Sequence, residues 1–204
     1  MTQIQNKITS KTILGIDPGT RKAGYCVIQL AGANTQSLKI LEWGVWNLND
    51  RLSLGERLEI LFTEASSLLK KWNPQIVGLE KAVVFKSVPS ALTLSEARGV
   101  LRLAIYSELA EASQRLVELS PTLIKKSTTG RGLATKEEIK RSLGFRWGLN
   151  FASETLKNFS ADAFDALAIA TSAALVHNRQ HGLKTRPQIF SSRKRTQRLD
   201  VDAD

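Results

Sequence analysis

The chain has 204 residues, 42% hydrophobic and 24% charged, a makeup that fits a globular protein with a full core and excludes a disordered or fibrous one. Lys and Arg number 29 against 19 Asp and Glu, a formal +10 with a pI near 9.9, which points to a polyanionic partner, nucleic acid above all. The apolar runs fall short of a membrane span, the start MTQIQNKITSKT lacks a secretory core, and Cys26 is alone, so a cytoplasmic protein without disulfides or membrane contact is expected.

Residues 12–30 predict two strands joined by the turn Asp17-Pro18-Gly19-Thr20. Residues 38–47 predict a third strand, completing an antiparallel meander. Leu54, Leu58, Leu61, Phe62, Ala65, Leu68 and Leu69 recur at helical spacing, so 53–71 predicts a helix. Pro74 follows it, and QIVGLE (75–80) predicts a short buried strand. Pro89 opens a second long helix, with Ala97, Leu101, Ala104 and Ile105 on its apolar face. QRLVEL (114–119) predicts a fifth strand. Residues 120–134, rich in Lys, Ser, Thr and Gly, read as a loop. Helices are expected at about 135–143 and 161–177.

From about 180 the apolar periodicity ends. Residues from Arg179 onward hold seven Lys and Arg against three Asp, so 179–204 reads as a basic, disordered tail on a domain spanning 1–178. The body stays basic without that tail. A meander followed by helix crossovers predicts an α/β fold: a mixed five-stranded sheet, antiparallel meander plus parallel strands, flanked by helices.

Four acids stand out. Asp17 ends the first strand, where a turn role is the plain reading. Glu80 ends QIVGLE, where a solvated strand terminus is the plain reading. Asp162 and Asp165 lie in SADAFDALAIATSAAL, behind Ser160 as N-cap. Asp162 suits the helix dipole. Asp165 does not fit so simply, because residues three apart share a face and like charges repel. Phe164, Leu167, Ala168 and Leu175 make the helix largely buried. Two carboxylates at the end of a buried helix call for a cation. Joined by two strand-end acids, they form an oxygen-rich set that suits Mg²⁺ or Mn²⁺. In a basic protein such a set makes sense where metal bridges acid to phosphate, the two-metal phosphodiester arrangement.

The residues then resemble a known family. ILGIDPGTRKAGYCVI, VGLEKAVVFKSVPSALTLSEARGV, IKKSTTGRGLATKEEIKRSL and SADAFDALAIA occur in that order. Over about 12–177 the chain resembles the RuvC Holliday junction resolvases, within the RNase H-like nucleases. The resemblance implies an RNase H-like fold and a structure-specific endonuclease of DNA recombination and repair. It would resolve four-way junctions by paired symmetric nicks, as a homodimer, with a branch-migration motor as an expected partner. Asp17, Glu80, Asp162 and Asp165 fall on the family's catalytic, metal-binding acids, with two Mg²⁺ ions per site and Mn²⁺ as a possible substitute. Lys125 and Lys136 fall on basic residues used near the scissile phosphate. The residues alone leave Lys125, Lys126, Arg131 and Lys136 open, as a solvated loop or as phosphate contacts. Lys86, Arg131 and Phe85 complete the expected DNA contacts. The helix from Pro89 to about Ala110 is similar to the family's dimer-forming region.

The sequence departs from the family in two respects: its tail beyond about residue 180 exceeds the family's usual end, and one aromatic is displaced. The family commonly places a junction-wedging aromatic three residues after the strand Glu; here Val83 stands there, and Phe85 follows two residues on.

Other readings are weaker. An actin-type ATP-binding fold shares the Gly-Ile-Asp-x-Gly-Thr turn but needs two domains and a longer chain. An RNase H-like nuclease on ribosomal RNA precursors, or a non-catalytic junction binder, is the alternative function. Tyr25 and Tyr106 lack a nucleophile motif, and His177 with His181 falls short of a zinc site.

Overall fold

The computed structural model describes residues 10–31, 37–81, 88–153 and 156–180. Among these, five strands form one sheet. The meander comprises β1 (Lys11–Asp17), β2 (Lys22–Ala31) and β3 (Ser37–Asn47). Helix α1 (Leu54–Trp72) leads to β4 (Ile76–Glu80). Helix α2 (Val88–Glu108) and the short α3 (Ala112–Arg115) lead to β5 (Leu116–Leu119). The chain ends its described part with α4 (Pro121–Thr129), α5 (Lys136–Trp147) and α6 (Ala161–Gln180). The strand order is β3-β2-β1-β4-β5, with β4 parallel to β1 and β5 parallel to β4. This is the mixed sheet that the element order predicts.

Side chains alternate across a strand, and both faces of this sheet are buried. Ile13, Cys26, Ile28, Ile76 and Val117 face a core shared with α4, α5 and α6. Leu14, Ile16, Val27, Val77 and Leu79 face a second core shared with α1 and α2. Hence the strands read as nearly continuous apolar runs.

Two glycines bring α6 close to the sheet. A Cβ on Gly15 of β1 would stand 2.1 Å from the Ala166 carbonyl oxygen. One on Gly24 of β2 would stand 2.2 Å from the Asp162 carbonyl oxygen. Only a residue without a side chain fits at either point.

Several boundaries differ from expectation. Residues 121–129 are helix, not loop. Ser120 caps α4 by accepting from the Leu123 N–H, Pro121 opens it, and Gly130 closes it in the left-handed region at φ 83°. Its polar residues turn inward: the Thr128 hydroxyl donates to the Ile124 carbonyl at 2.8 Å and that of Thr129 to Lys125 at 2.8 Å. Gln114 and Arg115 belong to α3, so β5 starts at Leu116. Helices α5 and α6 each run past their expected ends. Val83, Phe85, Lys86, His181 and the tail beyond Gln180 lie outside the described residues. No helix among the described residues is long and apolar enough to cross a membrane.

Candidate metal and phosphodiester site

Strand alternation aims the two strand-end acids. Ile13, Gly15 and Asp17 share the face of β1 that meets α6, and Ile76, Gly78 and Glu80 share the same face of β4. The strands pair in parallel with Gly15 beside Gly78 and Ile16 beside Leu79. One residue further along that register, Asp17 stands beside Glu80, so the two carboxyl groups are neighbours at the strand ends.

Helix α6 supplies the other pair. The Ser160 hydroxyl accepts from the Ala163 N–H at 3.2 Å, which fixes the first turn. Asp162 and Asp165 are partly buried there, while Ala163, Phe164 and Ala166 are buried. The close approach at Gly24 sets Asp162 over the partner position of Asp17, since Gly24 pairs with Asp17.

The electrostatics reflect this crowding. Burial, followed by the charges of Glu80, Asp165 and Asp162, pushes the Asp17 carboxyl up to about 8. Burial and then Asp165 raise Glu80 as well. At neutral pH Asp17 therefore keeps its proton. Lys136, the first residue of α5, offsets part of the negative charge. Its Nζ donates to Asp165 Oδ2 at 2.6 Å, and that bond raises its own pKa.

So the structure brings together Asp17, Glu80, Asp162, Asp165 and Lys136. It places the other basic candidates differently. Lys125 is half-buried on α4 and forms no ion pair with the acids among the described residues. Arg131 pairs with Glu138 at 2.8 Å. Tyr25 stacks on Trp46, with ring centroids 4.8 Å apart, as a packing residue.

The donor set fits a hard divalent cation. It consists of carboxylate oxygens, and it is destabilised by its own charge, which a cation would relieve. Among the described residues, as they stand, no three His, Cys, Asp or Glu are grouped so as to hold a metal ion. Lys136 holds Asp165 in an ion pair, so a cation at this site would have to share or displace that contact.

Two arginines near the site escaped the sequence reading. Arg57 of α1 donates from Nη1 to the Thr20 carbonyl at 2.6 Å and so ties down the turn after Asp17. Arg98 of α2 donates from Nε to the Glu80 carbonyl at 2.7 Å and pairs with Glu118. A signal for Arg98 existed: it shares the buried stripe of Leu101 and Ile105, and a charge there needs a partner.

Comparison with known proteins is consistent with this geometry. Residues 13–173 match the family described as crossover junction endodeoxyribonuclease RuvC. Treponema denticola RuvC is 34% identical over 137 residues, 67% of this chain and 73% of that protein. Neorickettsia sennetsu RuvC is 34% identical over 163 residues, 80% of this chain and 92% of its own length. Among solved structures, Thermus thermophilus RuvC in complex with a Holliday junction substrate superposes with a TM-score of 0.71 at 24% identity, covering 83% of this chain and 96% of that one. The yeast mitochondrial Holliday junction resolvase Ydc2 gives 0.58 at 19% identity, covering 83% and 80%. These likenesses show the fold, which the RNase H-like expectation named.

Proposed function

The chain belongs to the crossover junction endodeoxyribonuclease RuvC family, and from that premise we propose that it is a divalent-metal-dependent endonuclease that resolves four-way DNA junctions. The observation that carries the chemistry is the convergence of Asp17, Glu80, Asp162 and Asp165, a crowding that with burial pushes the Asp17 carboxyl up to about 8. Such a cluster is costly in any role that does not involve a cation.

Asp17, Glu80, Asp162 and Asp165 would hold the metal, which we take to be two Mg²⁺ ions. Bound there, the ions supply activation of water and stabilisation of the leaving 3′ oxygen. The protein's own residues do the rest. Asp17 would bind a cation as the carboxylate, its proton passing to solvent. The β1 and β4 backbones hold Asp17 and Glu80 rigidly at strand ends, which limits reorganisation. Lys136, already among the acids, would turn its ammonium group toward the incoming phosphate. Lys125 steadies the backbone from α4. The product is a nick with a 5′-phosphate and a 3′-hydroxyl, which a ligase can seal.

A junction has two-fold symmetry, so paired nicks suit a homodimer. The surface of α2 supports that reading. Val88, Leu92, Leu103 and Tyr106 are all more than half exposed, and they recur at helical spacing. We also take residues 1–178 as one nuclease domain, with the basic remainder as an arm for DNA or for a partner such as a branch-migration motor.

Cleavage of a labelled mobile four-way junction, compared with linear duplex and RNA, in Mg²⁺ or EDTA, tests the proposal. Symmetric paired nicks on the junction alone, lost in EDTA, are the expected result. Tight junction binding without cleavage in any divalent metal would overturn it.

A further inference from the structure

We propose that Arg98 is a positioning residue that ties the placement of Glu80 to the seating of α2. The inference rests on the reading that Glu80 belongs to the metal site. Arg98 itself touches no reacting atom. It acts through the main chain of β4.

The geometry is that of a clamp. Strand β5 alternates, with Val117 and Leu119 in the core under α6, so Glu118 faces the α2 side. Glu118 pairs in register with Leu79, one residue before Glu80. Arg98 comes from the inward face of α2 and spans both strands. Its Nε donates to the Glu80 carbonyl at 2.7 Å, and its Nη2 pairs with Glu118 Oε1. The Arg98 side chain is only 15% exposed. A planar guanidinium can make both bonds at once, which fixes its plane and the carbonyl it holds.

The carbonyl held is that of the candidate ligand itself. Rotation of the Glu80 peptide would swing its side chain away from Asp17, because backbone and carboxylate move together at a strand end. The next residue, Lys81, donates its N–H to the Leu119 carbonyl at 2.8 Å. Arg98 thus holds Glu80 from a different element. The same α2 carries the outward apolar stripe, so one helix joins the surface proposed for pairing to the site.

The test is Mn²⁺ binding by calorimetry on the full chain without DNA, alongside thermal unfolding in EDTA. Support groups of this kind are worth about 10–100-fold in metal affinity. Arg98→Ala is expected to weaken Mn²⁺ by that order, whereas a purely structural strut would lower the unfolding temperature and leave affinity unchanged. If Arg98→Ala does not fold, Arg98→Lys carries the test: a lysine can make one of the two bonds, and an intermediate loss of affinity is expected. Wild-type affinity in whichever variant folds overturns the proposal. Failure of the wild-type chain to bind Mn²⁺ would overturn the metal-site reading beneath it. Mn²⁺ binding without junction cleavage would remove the resolvase reading and leave this one standing.

Discussion

At the scale of single residues, Asp17 controls how the site responds to protons. Folded Asp17 holds its proton up to about pH 8, against 3.8 for the ordinary group. Between those values the folded state binds more protons than the unfolded chain, so stability falls as pH rises and levels off above about 8. Glu80 is raised and adds in the same direction. Lys136 is raised from 10.5 and so titrates above this window. The unfolding temperature in EDTA should therefore decline from about pH 5 to about pH 8, and a saturating divalent cation should flatten the decline. Asp17→Asn separates the two roles of this residue. It removes the ionisation, so the metal-free protein should lose most of that pH dependence in a thermal scan. On the proposed assignment it also removes a metal ligand, so cleavage should fall about a thousandfold or more while junction binding in a gel-shift assay persists. Loss of binding in step with cleavage would contradict the assignment.

At the scale of elements, spacing decides whether the acids meet. Helix α6 touches β1 and β2 at Gly15 and Gly24, with no room for a Cβ. Gly15→Ala should force the helix outward and cost about 1–3 kcal/mol, seen as a lower denaturant midpoint, with weaker stabilisation by Mg²⁺ in the same experiment. The strands and their terminal acids were legible in sequence, because ILGID and IVGLE are apolar runs that stop on a carboxylate. The Asp-x-x-Asp turn was legible because Ser160 marks the start of α6. Helix α4 was not. Its Lys, Ser and Thr content reads as loop, and the hydroxyls that satisfy the carbonyls of their own helix are invisible until the helix exists. The Ser120-Pro121 start and the Gly130 stop were the signals that outweighed composition. The bonds of Lys136 to Asp165 and of Arg98 to Glu80 and Glu118 join residues far apart in the chain, and periodicity carries no information about them.

At the scale of the whole molecule, two surfaces of opposite character stand apart on the described residues. The carboxylates gather at one end of the sheet, while α2 presents Val88, Leu92, Leu103 and Tyr106 outward. Leu103→Glu places a charge in that stripe, on a residue already 59% exposed, so folding should survive. Sedimentation should show a monomer, and junction cleavage should lose its paired symmetry and fall by about tenfold or more, since a charge buried without a partner costs several kcal/mol. A dimer of unchanged stability would move the pairing surface elsewhere. The order of the chain adds a consequence for the making of the protein. Asp17 and Glu80 are synthesised early, but they meet Asp162 and Asp165 only when α6, the last described helix, docks across strands laid down long before it. A chain still emerging from the ribosome carries half a site. On the proposed assignment, a chain that stops before residue 161 lacks Asp162 and Asp165 and should not cleave DNA.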